Sequence, residues 1–198
     1  MFTATSFRNL LLGVVGLPYI LGAEVTWPAR PKALDCSELV EWAYAGNGTP
    51  IGDLAAAQWD RCVTVTPGTE RVGDLVALAN NPARWNRIGH IAVLTGKLAN
   101  GDWEIVEARG RTYGVVRTTL AYWRTRTHYA GVRRYPQFAL AAEPLNATTR
   151  TPLAVDGQFG PKTIRRLQAR IGATPDGIWG THTTEALQRY LNNLPTTL

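Results

Sequence analysis

Apolar positions at helical spacing mark the first part of the chain. The apolar run at residues 8–23 predicts a buried first helix that ends near Gly16, followed by a turn at Pro18. The stretch CSELVEWAYAG, residues 36–46, predicts a second helix that is closed by Gly and Asn at its carboxyl end. Residues 53–60 predict a third, shorter helix.

The middle of the chain changes to short runs rich in β-branched residues, with turn residues between them. Strands are predicted at residues 73–78, 90–95, 103–108, 114–118 and 130–135. Helices followed by consecutive strands with short connections are typical of an α+β fold with an antiparallel sheet.

The tail contains an internal repeat with a period of 20 residues. VDGQFGPKT at residues 155–163 and PDGIWGTHT at residues 175–183 share the pattern Asp-Gly-x-aromatic-Gly-x-x-Thr. Each copy leads into an amphipathic helix, which we expect Thr163 and Thr183 to cap. The two helices are predicted at residues 164–171 and 184–191. Because one such unit cannot bury its apolar face alone, we expect the two to stack on each other.

A segment rich in Ala, Thr and Pro, with little periodicity, separates this tail from the rest of the chain. We predict a linker at residues 138–151. The chain then divides into a first domain at residues 1–137 and a second domain at residues 152–198.

The amino-acid composition restricts the class of binding partner more than it restricts the class of fold. Of the 198 residues, 45% are hydrophobic and 18% are charged, an ordinary balance for a globular protein. The net charge of +6 favours anionic partners such as nucleic acid, a membrane surface or cell-wall polymers. The basic residues are spread singly or in pairs and form no nucleic-acid motif, so we expect no nucleic-acid partner.

The apolar run at residues 8–23 also has features of a secretory signal peptide: one positive charge, then apolar residues, then small ones. It is too short and too interrupted by Gly and Pro for a membrane span, so we expect no stable membrane insertion. We favour a buried helix over a signal peptide because Tyr19 and Gly22 belong to a motif described below. The expected protein then carries no export signal of its own.

Two cysteines occur, Cys36 and Cys62, too few for a disulfide framework. Cys36 begins the predicted second helix and has three interpretations: a nucleophile, half of one disulfide, or a small core residue. A helix amino terminus favours a thiolate, and Asp35 is a suitable N-cap residue. Cys62 is interpreted as a buried small apolar residue.

A nucleophilic thiol needs a base, and three histidines are available. His90 begins an apolar strand, whereas His128 lies in a polar stretch and His182 in the tail repeat. A lone histidine beside apolar residues is more often structural, but a cysteine at a helix start favours His90 as its base. Glu107, on the next strand, is either the group that orients this base or an edge-strand charge facing water. Neither metal-ligand spacing nor a phosphate-binding loop occurs in the sequence.

Short motifs along residues 8–136 resemble those of the NlpC/P60 cysteine peptidases, in the order found in that family. They are GLPYILG at 16–22, DCSELV at 35–40, GDLV at 73–76, GHIAV at 89–93 and IVEA at 105–108. The resemblance implies a papain-like α+β fold, no cofactor, and cleavage of peptides in bacterial cell walls. The bond cleaved in that family is often D-γ-glutamyl–diaminopimelate.

Carried onto this chain, the resemblance implies that Cys36 is the nucleophile, His90 the base and Glu107 the third polar residue. It also implies that the amino end of the substrate is held by Tyr19, Asp35 and Ser37. Two positions depart from the family pattern: Glu38 stands where Gly is usual, and Glu107 where His, Asn or Gln is usual. Glu38 either alters the pocket or faces solvent along the helix.

The tail resembles peptidoglycan-binding repeats of the Asp-Gly-x-aromatic-Gly type, which form a small helical domain. The candidate wall-binding residues are Asp156, Phe159, Asp176 and Trp179. For the two aromatic residues we favour a place in the core over stacking on a ligand.

A wall-cleaving domain joined to a wall-binding domain resembles a phage endolysin. Such a protein is expected to be made in the host cytoplasm and to act on peptidoglycan, with anionic wall polymers as further partners. Three alternatives remain: an N-acetylmuramoyl-L-alanine amidase, a secreted bacterial wall hydrolase whose first apolar segment is a signal peptide, and a non-catalytic wall-binding protein.

Overall fold

The computed structural model describes residues 1–141, 153 and 155–192. The chain forms two compact units, Met1–Glu143 and Pro144–Leu198.

The first unit extends beyond the boundary predicted at residue 137. Phe138 packs edge-to-face on Phe7, with 4.9 Å between ring centroids. Ala141 donates its backbone N–H to the carbonyl of Phe2 at 2.8 Å. Residues 138–141 therefore belong to the first unit, and the remainder of the predicted linker lies outside the described residues.

Helix α1 spans Ala4–Leu12 and is the buried first helix that the apolar run predicts. Thr3 and Ser6 form a reciprocal capping box that fixes its amino end. Phe7 and Leu11, one turn apart, are fully buried and hold the helix on the core. The helix begins and ends earlier than predicted, and turns follow it.

Helix α2 spans Cys36–Gly46, as predicted, and α3 spans Ala55–Asp60, within its predicted range. Leu39, Val40 and Ala43 give α2 a fully buried face. These three residues join the apolar cluster that includes the central strands. This packing fixes α2, and with it the position of its first residue.

A six-stranded sheet forms the centre of the described part of the first unit. Its strands are β1 Val63–Thr64, β2 Leu75–Leu78, β3 His90–Lys97, β4 Trp103–Ala108, β5 Val115–Thr119 and β6 Tyr129–Arg134. They lie in the order β1-β6-β2-β3-β4-β5, and all neighbours are antiparallel. The predicted α+β fold is confirmed, whereas β1 and helix α4, Leu120–Thr125, were not predicted.

Both faces of the sheet are covered. Ile91 and Val93 of β3 belong to the apolar cluster that includes α1, α2 and α3. Ala92 and Leu94 belong to a second cluster, on the other face, that includes Trp123 of α4. The sequences of the central strands are therefore nearly continuous apolar runs, so a polar residue within or at the end of such a strand is unusual.

The second unit contains α5, Pro161–Ile171, and α6, Thr181–Asn192. Both helices begin three residues earlier than predicted, so the prediction that Thr163 and Thr183 cap them was wrong. Pro at the first helical position, with its fixed φ, starts α5 instead. Ile164 of α5 and Ala186 of α6 are among the buried apolar residues of this unit.

A buried amide joins the two repeats. The Nε2 group of Gln168 donates to Asp176 Oδ1 at 2.7 Å, the Ile178 carbonyl at 2.9 Å and Thr183 Oγ1 at 3.0 Å. Its Oε1 accepts the backbone N–H of Gly177 at 2.8 Å. Since Gln168 belongs to the first repeat and its partners to the second, the expected contact between the repeats is present.

Candidate active site

Cys36 is the first residue of α2 and is 7% exposed. Asp35 is the N-cap, as predicted, and its Oδ1 accepts the backbone N–H of Glu38 at 2.9 Å. The first N–H groups of a helix lack intrahelical acceptors, and the helix dipole is positive at this end. Cys36 therefore lies where the helix favours a negative charge.

The Asp35 carboxylate also ties α2 to the loop before it. Its Oδ2 accepts the backbone N–H of Gly22 at 2.8 Å, and its Oδ1 accepts the hydroxyl of Ser37 at 3.0 Å. Burial raises the pKa of Tyr19 to about 12, and the nearby charges of Cys36 and Asp35 add to this effect. The three residues predicted to contact substrate thus lie together beside Cys36.

His90 is the first residue of β3, and its ring meets three neighbours. Its Nε2 lies 2.8 Å from Oε2 of Glu107, and its ring stacks on Trp123 with centroids 5.2 Å apart and planes 12° apart. Burial lowers the pKa of His90, but hydrogen bonds and charge interactions with Cys36 and Glu107 outweigh burial and raise this pKa to about 9. The imidazole is therefore held by the carboxylate and the Trp123 ring, and Cys36 and Glu107 both favour its charged form.

Glu107 lies on β4, an interior strand, and is fully buried. The interpretation of Glu107 as an edge-strand charge facing water was therefore wrong. Oε2 contacts His90, and also Nη1 of Arg126 at 3.1 Å. Oε1 accepts from the Thr118 hydroxyl at 2.9 Å and from Nε1 of Trp123 at 3.1 Å. Burial raises the pKa of this carboxyl, but the hydrogen bond and charge of His90, with Thr118 and Arg126, bring it below its usual range.

Sequence reasoning missed Thr118, Trp123 and Arg126. Trp123 lies on α4 and Arg126 directly follows that helix. The guanidinium carbon of Arg126 lies 4.7 Å from the centroid of the Trp123 ring. The sequence signal for these residues was a tryptophan and an arginine three residues apart, shortly after β5. Helix α4 itself was not predicted.

Glu38 is buried, and the alternative that it faces solvent was wrong. Its Oε1 accepts the backbone N–H of Val25 at 2.9 Å. Burial raises the pKa of Glu38 to about 7, with smaller contributions from Glu41, Glu24 and Asp35, although the Val25 N–H acts in the opposite direction. Glu38 therefore fastens the loop before α2 from a position two residues after Cys36.

The environment of Cys62 differs from that of Cys36. Both cysteines are free, so no disulfide joins them. The thiol of Cys62 donates to the carbonyl of Gln58 at 3.2 Å, and burial raises its pKa to about 12. The interpretation of Cys62 as a buried small apolar residue agrees with this environment.

The other two histidines have different settings. His128 has a positive φ of 68°, and its carbonyl accepts the N–H of Ala79. His182 lies in the second unit with a fully exposed side chain. Across the described residues, no group of three or more His, Cys, Asp or Glu side chains could hold a metal ion. None of the described helices is long and apolar enough to cross a bilayer.

The candidate wall-binding residues of the second unit divide into two kinds. Asp156 and Asp176 accept backbone N–H groups two residues onward, which stabilises the turns of the repeats. Phe159 and Trp179 are 57% and 39% exposed, with ring centroids 5.3 Å apart. The interpretation of these two as core residues was wrong, because they form an edge-to-face pair at the surface.

The fold and the site together define a class. An α+β unit that brings a thiol at a helix start against a strand-borne imidazole and a buried carboxylate is the papain-like arrangement. The family model described as NlpC/P60 family matches residues 16–133, and the chain belongs to this family.

Solved structures share the fold of the first unit. The NlpC/p60 domain of the peptidoglycan hydrolase SagA is 16% identical, with a TM-score of 0.51 over 67% of this chain and 98% of that one. NlpC1 from Trichomonas vaginalis is 23% identical, with a TM-score of 0.51 over 67% of this chain and 44% of that one. A Staphylococcus aureus protein described as similar to lipoprotein, NLP/P60 family, is 21% identical, with a TM-score of 0.51 over 67% and 41%.

These likenesses concern the fold. The chain matches less than half the length of the Staphylococcus aureus and Trichomonas vaginalis proteins. A comparison with curated proteins gives no match.

Proposed function

We propose that this protein is a peptidoglycan hydrolase that cleaves an amide bond of the wall stem peptide through a Cys36 thiolate. The observation that carries the proposal is the linked arrangement of Cys36, His90 and Glu107. Membership of the NlpC/P60 family and the fold shared with a domain of the hydrolase SagA support peptidoglycan as the polymer.

The proposed reaction uses Cys36, His90 and Glu107 in turn. The Cys36 thiolate attacks the amide carbonyl, and the backbone N–H of Cys36 at the start of α2 donates to the developing oxyanion. The His90 imidazolium gives its proton to the leaving amine, so that a thioester to Cys36 remains. His90 then takes a proton from water, which attacks the thioester, releases the carboxylic acid and restores the Cys36 thiolate and the His90 imidazolium. Glu107 holds the imidazole ring in one orientation throughout.

The substrate bond is proposed to be D-γ-glutamyl–diaminopimelate. Tyr19, Asp35 and Ser37 lie beside the thiol, and the carboxylate of Asp35 is suited to a substrate ammonium group. Glu38, fastened to Val25, fixes the loop that carries this side of the site. The Asp35 carboxylate beside the nucleophile therefore favours a substrate with a free amine near the scissile bond.

The second unit is proposed to bind the wall, and the whole chain to act as a phage endolysin made in the host cytoplasm. The support is the exposed pair of Phe159 and Trp179, which presents aromatic faces of the kind that stack on sugars. Joined to a hydrolase unit, such a surface would keep the enzyme on its insoluble substrate. Anionic wall polymers are a further partner favoured by the net charge of +6.

The test of the enzymatic proposal is lysis of purified cell walls by Cys36→Ala and by Cys62→Ala as a matched control. We expect Cys36→Ala to lose lysis and Cys62→Ala to keep it, because Cys62 is a buried thiol with a pKa of about 12. Unchanged lysis by Cys36→Ala would refute the nucleophile, whereas binding to walls without lysis by the unmodified protein would favour a non-catalytic wall-binding protein.

Mass spectrometry of the released muropeptides tests the bond. Cleavage between D-glutamate and diaminopimelate gives fragments with a new amine on diaminopimelate. Cleavage between muramic acid and L-Ala instead frees whole stem peptides and would identify an amidase.

A further inference from the structure

One carboxylate oxygen at the site is shared between two cations. Oε2 of Glu107 lies 2.8 Å from Nε2 of His90 and 3.1 Å from Nη1 of Arg126. The Arg126 guanidinium also lies over Trp123, whose ring stacks on His90. The side chain of Arg126 is 20% exposed and that of Glu107 is 0% exposed, so little water screens this contact.

The charge balance around His90 follows from these contacts. The ionisable groups that act on the imidazole are Cys36 of α2 and Glu107 of β4. Around Glu107, β5 supplies the neutral hydroxyl of Thr118 and α4 the neutral N–H of Trp123, and Arg126 brings a positive charge. Tyr19 is a further neighbour of this cluster, since the charges of Cys36 and Asp35 both act on it.

A buried carboxylate that faced the imidazole alone would hold the imidazolium proton tightly. His90 must release that proton to the leaving amine, so an excess of negative charge would slow the step it is meant to assist. Arg126 neutralises part of the Glu107 charge through the same oxygen that His90 contacts. Glu107 can then orient the ring while exerting a smaller pull on its proton.

We propose that Arg126 is a positioning residue that acts through Glu107 to set how readily His90 gives up its proton. The inference rests on the proposed cysteine-hydrolase function. It extends the working site from three residues to four, with Arg126 in contact with Glu107 and the Trp123 ring.

The test compares Arg126→Gln and Arg126→Met, which remove the charge, with Arg126→Lys, which keeps it. The matched control is Arg124→Gln, since Arg124 lies on α4, two residues before Arg126, and pairs with Glu70 instead of Glu107. The His90 ring is titrated by NMR in the full chain without substrate, and its resonance is assigned by its loss in His90→Gln.

We expect the uncharged variants to raise the titration midpoint of His90 by about 0.5 to 1 pH unit, since removal of a neighbouring cation favours the imidazolium. Arg126→Lys and Arg124→Gln should stay close to the wild type. On walls or a soluble muropeptide, kcat should fall in the uncharged variants while KM changes little.

The proposal is overturned if the midpoint stays unchanged or falls in the uncharged variants, or if Arg126→Lys shifts as far as they do. Urea unfolding identifies which uncharged variants fold, and either of the two suffices, because Met keeps apolar contact with Trp123 and Gln keeps a donor. The NMR titration needs no turnover, so it separates this proposal from the enzymatic one, which depends on Cys36→Ala.

Discussion

Replacement of Glu38 by Gln removes a buried ionisable group and keeps an oxygen that can accept the N–H of Val25. In the folded protein burial raises the pKa of Glu38 from 4.5 to about 7, so the folded state binds this proton more tightly than the unfolded chain. The contribution of Glu38 to the stability of the wild type is therefore fully present below pH 4.5 and is lost as the pH rises toward 7. Glu38→Gln lacks this loss.

The magnitude follows from the same two values. At about 1.4 kcal/mol per pH unit, the interval from 4.5 to about 7 corresponds to about 3 kcal/mol. Urea unfolding of both proteins, followed by tryptophan fluorescence at pH 4.5 and pH 8, gives the difference in free energy of unfolding. Glu38→Gln should gain about that much relative to the wild type as the pH rises. A difference that stays constant between the two pH values, or changes in the opposite direction, would refute the reasoning.

Three other predictions concern the site and the tail. Wall lysis should decline as the pH rises through about 9, where the His90 imidazolium loses its proton. Glu107→Gln should move this decline to lower pH, because it removes the negative charge that stabilises the imidazolium. A pH–rate profile measures both effects, and a decline at the same pH in the variant would contradict the role of the carboxylate. Iodoacetamide at pH 7 should alkylate Cys36 and spare Cys62, whose pKa is about 12, as read by peptide mass spectrometry; equal labelling would contradict the assignment. In a Cys36→Ala background, Trp179→Ala should reduce sedimentation with purified walls several-fold, because it removes half of an exposed aromatic pair, and unchanged sedimentation would remove the wall-binding role of that pair.

The elements that the sequence predicts best are those whose burial leaves a periodic pattern. Helix α2 has the predicted bounds because its N-cap and its carboxyl-terminal Gly and Asn are local signals. Strands β3 and β4 are apolar runs because both of their faces are covered. The two-residue strand β1 is held by pairing with β6, and the six-residue helix α4 directly follows β5, so neither leaves a pattern of its own.

The candidate site could be predicted to a similar extent. Cys36, His90 and Glu107 each stand at a helix start or in an apolar strand, where a polar residue is conspicuous. Arg126 could not be found this way, since its role comes from a tertiary contact with a carboxylate on a strand 19 residues earlier in the chain. In the second unit, the prediction of a core position for Phe159 and Trp179 was wrong. The repeats are linked by the polar network of Gln168, and the aromatic pair lies at the surface.

The amide of Gln168 has a consequence for the evolution of the tail. Its four hydrogen bonds all run from one repeat to the other, so deletion of the second copy would leave a buried side chain without its partners. We therefore expect the two copies to be retained or lost together, because each supplies one side of this buried network. A recombination that preserves the network must cut outside both copies.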